Sequence, residues 1–383
     1  MLLNLGSYIF LHYNYVKFVK NYSKLVKYVI ISLGDIMNDI LSRVLQMVIL
    51  TFIFVVSIIP VIKKIAEHVG ALDIPNERKV HKKPMPRLGG LAIFISFLIG
   101  YMFFAPVTTQ MISILIGGIL IILLGIIDDI KPLKATTKLW GQIIVAIILV
   151  FYGKIYLTDL TLFGMYVNLD IWAYPLSILI IVGCINIINL IDGLDGLAAG
   201  ISSIYFITII AISILLGRME GLGFVLCLIM LGSTLGFLYY NFNPASIFMG
   251  DTGSMFLGFM VAVISLLGFK TATLTSFLIP ILILFIPILD TLLAILRRLI
   301  KGESIGKPDK EHVHFQLLNK TSSVRKTVLI IYFINILFSI VSVLYAIGLT
   351  DLAILLYLLL MIIVIIFIFK TDILYKHDKT SKK

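Results

Sequence analysis

The segment NIINLIDGLDG places polar side chains where two long apolar stretches of the sequence meet. Asn186, Asn189 and Asp192 are spaced three residues apart, so a helix would present them on roughly one face. Asp195 follows after a turn that contains glycine. Charged groups are costly near a bilayer and are functional there by default. The segment therefore predicts a site for cations or phosphate groups, because a purely structural helix gains nothing from this arrangement.

Four further aspartates lie at three places near the ends of apolar stretches. Asp128 and Asp129 are adjacent, and neighbouring carboxylates raise each other's pKa unless a cation or a donor compensates. In NFNPASIFMGDTGS, Asn241 precedes a proline turn and Asp251 lies where a helix would start, and exposed N–H groups at a helix start suit phosphate. Taken alone, GDTGS is explained equally well as a turn with a helix cap. Asp290 has two equal explanations, a functional carboxylate or a capping or solvated rim residue.

Two basic loops supply the complementary charge. The first, DIPNERKVHKKPMPRLGG, is stiffened by three prolines, and the second, RRLIKGESIGKPDKEHVHFQLL, carries two histidines two residues apart. A zinc site on these histidines is disfavoured, because no thiol is near and no third and fourth ligand is apparent. Several lysines in these regions are better explained as topology anchors. They are Lys63, Lys64, Lys301 and Lys320.

The chemistry that these groups share is that of hard cations and phosphates. Oxygen ligands with few histidines or cysteines select Mg²⁺, or Mn²⁺, over zinc. Mg²⁺ typically binds through one or two carboxylates together with the phosphates of a substrate. The sequence therefore predicts a site that receives a soluble, phosphate-rich substrate and a second substrate carried in the membrane.

The elements that position these groups are membrane-spanning helices. The chain of 383 residues is 60% hydrophobic and 13% charged, with a mean hydropathy of +1.10, which no ordinary soluble domain shows. We predict an all-α polytopic membrane protein in which the net charge of +11 reports topology and not binding to nucleic acid. About eleven transmembrane helices are expected, at 44–62, 89–106, 110–127, 138–156, 172–191, 197–217, 221–240, 254–269, 275–296, 327–348 and 351–369.

Lysine and arginine residues orient these helices. The loops 63–88, 128–138 and 297–326 and the tail after the eleventh stretch hold 23 of the 31 residues, whereas the opposite loops hold three. By the positive-inside rule, the rich loops are cytoplasmic, the N-terminus is outside and the C-terminus is inside. The six aspartates named above then fall on the cytoplasmic side, which predicts an active site on the cytoplasmic face.

The predicted domain organisation has three parts. Residues 37–370 form the integral membrane domain, and 371–383 form a basic cytoplasmic tail. Residues 1–36 form an N-terminal extension whose lysines alternate with aromatic residues, as in an interfacial amphipathic helix. The alternative is that translation begins at Met37 and that the extension is an artefact of the start site.

Six motifs occur in one order between Asn38 and Arg325: KVHKKPMPRLGG, LLGIIDD, NIINLIDGLDGLAAG, NPASIFMGDTGSMFLG, DTLLAILRR and PDKEHVHFQLL. In this order they resemble the polyprenyl-phosphate N-acetylhexosamine-1-phosphate transferases. The last two are similar to the undecaprenyl-phosphate GlcNAc-1-phosphate transferase branch, whereas the related phospho-MurNAc-pentapeptide translocases usually have consecutive histidines there. Phe315 departs from the pattern, since many relatives have histidine at this position.

The resemblance implies a Mg-dependent glycosyl-1-phosphate transferase. It would transfer GlcNAc-1-phosphate from a UDP-sugar to undecaprenyl phosphate, giving undecaprenyl diphosphate-sugar and UMP. The product would initiate a cell-envelope glycan such as teichoic acid or an O-antigen-like polymer. The alternatives are phospho-MurNAc-pentapeptide transfer, a non-catalytic lipid-binding protein and a secondary transporter, although a transporter would place its carboxylates near the bilayer midplane. The oligomeric state stays open, a homodimer included.

The resemblance also implies roles for individual residues. Asp251 is expected to be a metal ligand. Asp128 and Asp129 would act on the metal or the lipid phosphate, with Asp128 as the base in a direct attack. Asp192 and Asp195 lie at the nucleotide site. The residues expected to contact the substrates, including two catalytic histidines, are Lys82, Arg87, Asn186, Asn189, Asn241, Arg297, Arg298, His312 and His314.

Overall fold

The computed structural model describes residues 41–75, 83–162, 165–269, 278–300, 302 and 312–370. The chain divides into two units, Met1–Met47 and Val48–Lys383, and the contacts below all lie within the second. Lys82, the extension 1–36 and the tail 371–383 lie outside the described residues. The three-part domain organisation therefore stays a prediction.

Thirteen α-helices make up most of the part of the chain that the structure describes. A π-helical turn, Ile148–Tyr152, continues the fourth helix, and a 3-10 turn, Asp170–Trp172, precedes the fifth. The helices are α1 Leu41–Val69, α2 Gly89–Phe104, α3 Thr109–Ile130, α4 Ala135–Ile147, α5 Ala173–Ile191, α6 Leu197–Leu215, α7 Leu222–Asn241, α8 Gly250–Phe269, α9 Leu278–Ile283, α10 Phe285–Ile300, α11 Val313–Thr321, α12 Val324–Ala346 and α13 Thr350–Lys370.

Two short antiparallel hairpins accompany the described helices. Strands β1 (Leu72–Asp73) and β2 (Met85–Pro86) pair Leu72 with Pro86 and Asp73 with Met85. Strands β3 (Asp159–Leu162) and β4 (Met165–Asn168) form the second hairpin. The first hairpin leads directly into α2, and the amides of Gly89 and Gly90 donate to the carbonyls of Phe248 and Met249 at 3.0 and 2.9 Å. The start of α2 is therefore fixed beside the start of α8.

The predicted all-α polytopic membrane protein is confirmed. Eight described helices are long and apolar enough to cross a bilayer, and α2 and the Thr350–Ile366 part of α13 are shorter apolar segments. Ten of the eleven predicted stretches each coincide with one helix, but 275–296 does not, because the chain there is divided between α9 and α10. Pro287 lacks the N–H that would bond to the carbonyl of Ile283, and its ring crowds that carbonyl, so the helix is interrupted.

Helix α8 is the centre of the bundle. Nearly all of it is buried, and it packs against α2, α3 and α5. The ring of Phe256 meets the rings of Phe94 and Phe97 edge-on, with centroids 5.2 and 5.4 Å apart. Gly90 and Gly253 allow α2 and α8 to touch backbone to backbone, since a Cβ on Gly90 would lie 2.0 Å from Gly253 Cα. The acidic start of α8 is thus held on a rigid support.

Candidate active site

Asp129, at the end of α3, is bound to the first turn of α8. Its carboxylate accepts hydrogen bonds from the backbone N–H groups of Asp251 and Thr252 at 2.9 and 3.0 Å, and from Thr252 Oγ1 at 2.6 Å. Free N–H groups at a helix start are the usual partners of a capping carboxylate, and the helix dipole adds to the attraction. Asp129 is buried and therefore serves first as an interhelical cap.

Asp128, its neighbour, faces a lysine. Lys138 Nζ, in the first turns of α4, lies 3.2 Å from Asp128 Oδ2 and 2.8 Å from Asp251 Oδ2. The second oxygen of Asp128 accepts from the backbone N–H of Leu133 at 2.7 Å. One cation therefore bridges the carboxylates of α3 and α8. Sequence reasoning missed Lys138 as a site residue, because a single lysine in a loop predicted to be cytoplasmic is indistinguishable from a topology anchor.

Arg87 supplies a second cation from the segment before α2. Its guanidinium lies 3.3 Å from Asp129 Oδ1, 3.8 Å from Asp251 Oδ1 and 3.5 Å from Asp73 Oδ1. Burial by itself would lower the pKa of Arg87, but these aspartates outweigh it and raise the pKa. Gly250 is needed here, because it has a φ of +71° and a Cβ would lie 2.0 Å from the Arg87 carbonyl oxygen.

The turn between α5 and α6 forms the next wall. Burial, together with the nearby charges of Asp251 and Asp129, raises the pKa of the Asp192 carboxyl to about 8. Asp195 Oδ2 accepts hydrogen bonds from Asn243 Nδ2 at 2.8 Å and from the Ala245 N–H at 3.0 Å. Asp192 thus faces the acidic cluster, whereas Asp195 holds the loop between α7 and α8.

The three asparagines predicted as substrate contacts all have partners within the protein. Asn241 accepts from the Gly196 N–H at 3.0 Å and donates to the Ile247 carbonyl at 2.9 Å, both through its side chain. Asn189 donates to Ser254 Oγ at 2.8 Å. Asn186 donates to Gln142 Oε1 at 2.7 Å and to the Val182 carbonyl at 2.8 Å. Their roles toward substrate stay predictions.

Two histidines at the start of α11 contact the same carboxylate. Asp290 on α10 lies 3.1 Å from His312 Nδ1 and 2.9 Å from His314 Nδ1, and it accepts from the Val313 N–H at 2.9 Å. Phe315 packs on His314 with ring centroids 4.4 Å apart. Asp290, which the sequence left open between two explanations, is therefore a buried partner of the predicted catalytic histidines. Its signal in the sequence was a lone aspartate near the end of an apolar stretch, which a capping or rim residue explains equally well.

These groups surround one cavity of about 460 Å³. Of the predicted site residues, six line it: Arg87, Asn189, Asp192, Asp195, Asn241 and Asp251. Gly193 and Phe315 line it as well. Asp128 and Asp129 reach it through their contacts with Asp251 and its neighbour Thr252. The remaining described residues of the prediction are not part of its wall: Asn186, Arg297, Arg298, His312 and His314.

The donor set of the site has the chemistry that suits a hard divalent cation. Among the described residues, its acidic half offers carboxylate oxygens from Asp251 on the cavity wall and from Asp128 beside it. Lys138 Nζ lies within 3.2 Å of an oxygen of each of these carboxylates. Such a donor set fits Mg²⁺ or Mn²⁺ and not zinc. The cavity extends from these carboxylates toward the α5–α6 turn and Phe315, which leaves room for a larger polar ligand.

Comparison with known proteins agrees with this chemistry. A model of glycosyl transferase family 4 matches residues 111–269. The probable undecaprenyl-phosphate N-acetylglucosaminyl 1-phosphate transferase of Bacillus subtilis is 44% identical over 307 residues, which cover 79% of this chain and 85% of the relative. The chain belongs to glycosyl transferase family 4.

Other relatives within this family include the decaprenyl-phosphate N-acetylglucosaminephosphotransferase of Mycobacterium tuberculosis, 37% identical over 302 residues, which cover 71% of this chain and 74% of the relative. The phospho-N-acetylmuramoyl-pentapeptide-transferase of Staphylococcus epidermidis is 35% identical over 292 residues, which cover 70% of this chain and 88% of the relative. The membership predicted from six motifs is confirmed. The protein is a multi-pass membrane transferase, and its GlcNAc-type relatives are named for a polyprenyl-phosphate carrier.

Proposed function

We propose that this family 4 transferase moves GlcNAc-1-phosphate from UDP-GlcNAc to undecaprenyl phosphate on the cytoplasmic face of the membrane. The products are undecaprenyl diphosphate-GlcNAc and UMP. The observation that carries the proposal is the cavity whose wall contains Asp251, with Arg87, Lys138 and Asp128 around that carboxylate. The higher identity to the Bacillus subtilis relative supports GlcNAc over the pentapeptide sugar.

The acidic cluster is suited to hold Mg²⁺ during this reaction. Asp251 and Asp128 would bind the ion, which supplies neutralisation of the charge on the diphosphate. Lys138 bridges the same two carboxylates at 2.8 and 3.2 Å. It holds them near each other before the ion and the substrates arrive. Arg87 adds positive charge on the cavity side of Asp251.

The proposed step is a direct displacement. An oxygen of the lipid phosphate forms a bond to the phosphorus that carries the sugar, and the bond from that phosphorus to the bridging oxygen breaks. UMP leaves with the bridging oxygen and its electron pair. Asp128 takes or orients the proton of the lipid phosphate. Phosphoryl transfer depends mainly on positioning and charge neutralisation, and a phosphate monoester is already a nucleophile at neutral pH, so no covalent enzyme intermediate is required.

Release of UMP tests the proposal. The purified protein in detergent is incubated with undecaprenyl phosphate, Mg²⁺ and either UDP-GlcNAc or UDP-MurNAc-pentapeptide. We expect UMP with UDP-GlcNAc alone, lost on chelation and restored by Mg²⁺. Release only with the pentapeptide substrate would keep the chemistry and change the sugar. A folded protein that releases no UMP with either compound would instead indicate a transporter or a non-catalytic lipid-binding protein.

A matched pair of variants tests the metal assignment. Asp251→Asn keeps the size of the side chain and removes its charge, and we expect it to abolish metal-dependent turnover. Asp351→Asn makes the same change at an exposed position at the start of α13 and should leave turnover unchanged. Near-normal activity of the Asp251→Asn protein would show that the metal is held elsewhere.

The product has the chemistry of an intermediate and not of a final polymer. A polyprenyl diphosphate-sugar carries one sugar on a lipid, so enzymes that add further sugars must consume it. Teichoic acid and an O-antigen-like polymer are the two pathways that we propose for it. A deletion strain that lacks one of these glycans and regains it with the intact gene would assign the pathway, and normal levels of both would exclude the two together.

A further inference from the structure

Asp290 connects helix α10 with the start of α11. It lies on α10 at 3% exposure and accepts hydrogen bonds from three consecutive residues at the start of α11. His312 and His314 are equally buried, at 5% and 2%, and their rings stack with centroids 5.4 Å apart. A single carboxylate therefore fixes the position of both imidazoles.

The hydrogen-bond pattern also assigns the tautomer of the histidines. An ionised carboxylate is only an acceptor, so each Nδ1 that meets Asp290 must carry a hydrogen. A neutral imidazole has one N–H, which leaves Nε2 as an acceptor, and a protonated imidazole makes Nε2 a donor. In both states Nε2 is the atom that is left for another partner.

For His314 that partner is missing among the residues that the structure describes. His314 Nε2 is buried and makes no hydrogen bond to them. A Cβ on Gly193 would lie 2.6 Å from His314 Nε2, so the atom lies directly against the glycine that follows Asp192 on the cavity wall. An unpaired buried polar atom costs stability and usually has a functional or ligand-related reason.

We propose that Asp290 is a positioning residue that holds His312 and His314 in the Nδ1–H tautomer and so directs His314 Nε2 at Gly193, on the wall of the cavity that receives the UDP-sugar. The proposal rests on the proposed function. It adds a residue that touches no substrate but determines what the histidine presents to it. Gly193 is part of this arrangement, because a side chain there would collide with the His314 ring.

A bound metal ion is the competing explanation of the same cluster. One ligand atom from each of Asp290, His312 and His314 lies within 4.8 Å of the others. However, the Val313 N–H binds the same oxygen of Asp290 as His312 Nδ1, which fills the carboxylate with three N–H donors. A metal on both Nδ1 atoms would remove their hydrogens, so the two explanations predict opposite tautomers.

Histidine tautomers can be read by long-range ¹⁵N–¹H NMR of the full-length protein in detergent, with ¹⁵N-histidine at its six histidine positions. His312→Gln and His314→Gln assign the signals. We expect Nδ1–H for both in the wild-type protein. In Asp290→Asn the amide offers one acceptor and one donor, so at least one ring should change to Nε2–H. Unchanged tautomers in that variant, or one equivalent of zinc in the purified protein, would overturn the proposal.

Ligand contact is tested in the same sample. Addition of UDP-GlcNAc should move the Nε2 resonance of His314 and leave that of the exposed His68 in place. This result needs no turnover, so it stays informative if the wild-type protein releases no UMP and the proposed function fails. A His314 resonance that does not respond to saturating UDP-GlcNAc, in a protein that does turn it over, would contradict the proposed direction of Nε2.

Turnover then separates positioning from simple stabilisation. We expect Asp290→Asn and His314→Gln each to lower kcat/KM by about 10- to 100-fold, the range typical of residues that orient an active-site histidine. The double variant should lose no more activity than the less active of the two single variants, because both changes disrupt the same Asp290–His314 interaction. Losses that multiply would indicate a structural role. Thr291→Val is the matched control on α10, since Thr291 Oγ1 bonds only to the Pro287 carbonyl among the contacts described.

Discussion

At the scale of single residues, two adjacent aspartates perform different tasks. Asp129 accepts three hydrogen bonds from the first turn of α8, whereas Asp128 shares Lys138 with Asp251. We predict that Asp129→Asn lowers both turnover and Tm, because a lost cap costs about 1–2 kcal/mol, or about 1–3 °C in a chain of this size. Asp128→Asn should abolish turnover with a smaller change in Tm. Activity and thermal unfolding in detergent, measured on both proteins, check this.

A third variant provides a control for the different roles of Asp128 and Asp129. Thr252→Val keeps both backbone N–H groups on Asp129 and removes only the 2.6 Å hydroxyl bond. Its Tm should lie between the wild-type and Asp129→Asn values, with turnover retained. Equal Tm values for Asp128→Asn and Asp129→Asn would mean that Asp129 is not a structural cap.

Asp192 predicts a dependence of stability on pH. Its pKa is raised by burial to about 8 in the folded protein, above the ordinary value of 3.8. The folded state therefore holds this proton more tightly than the unfolded chain does, and the resulting stabilisation is lost as pH rises through 8. In metal-free protein we expect Asp192→Asn to lose less stability than the wild type between pH 6 and pH 9. The difference in Tm loss should be at least ~2 °C, because the raised pKa implies a loss of about 2–3 kcal/mol in this range and a chain of this size loses about 1 °C per kcal/mol.

Melting curves in the presence of a chelator provide the measurement, since a bound cation would itself favour the ionised carboxylate. Asp351→Asn, at an exposed position, should follow the wild-type curve at every pH. If the Asp192→Asn and wild-type curves stay parallel from pH 6 to pH 9, the Asp192 carboxyl is ionised throughout, and the raised pKa is wrong.

At the scale of elements, the site depends on two helices in backbone contact. A Cβ on Gly90 would lie 2.0 Å from both Cα and N of Gly253, and backbone cannot move aside as a flexible side chain can. We predict that Gly90→Ala separates α2 from α8, displaces Arg87 from Asp251 and lowers Tm and turnover together. Gly183→Ala is the matched control, because a Cβ there meets no described atom within 4 Å. Alanine favours a helix more than glycine does, so Gly183→Ala should not lower Tm. Equal loss of Tm in both variants would contradict the assignment of the effect to the α2–α8 contact.

The same contacts show which parts of the site the sequence can predict. Long apolar stretches determine helices by length alone, so the elements and the acidic helix ends were recognisable. Lys138 was not recognisable as a site residue. Its partner Asp251 is more than a hundred residues away in the sequence, and only the packing of α3, α4 and α8 brings the two side chains together. The interruption at Leu284 was missed because hydropathy does not register two prolines within an apolar stretch. Asp290 lacked a partner until α10 and α11 were placed side by side.

At the scale of the whole molecule, the fold requires that the acidic residues share one face. Two crossing helices, α4 and α5, separate Asp129 from Asp192, and two more, α6 and α7, separate Asp192 from Asp251. An even number of crossings returns the chain to the same side, which agrees with the contact of Asp129 with the start of α8. Which side this is remains a prediction from the distribution of lysine and arginine.

Cysteine labelling of intact cells decides the side. Three crossings, α4 to α6, separate Lys134 from Glu220, and both positions are exposed. In a background with Cys184 and Cys227 replaced by serine, a membrane-impermeant maleimide should label Glu220→Cys in intact cells, but Lys134→Cys only after permeabilisation. Retained UMP release by both variants is the control for folding. The reverse pattern would place the carboxylates outside, where cytoplasmic UDP-sugars do not reach them. Labelling of both positions in intact cells would contradict the odd number of crossings between them.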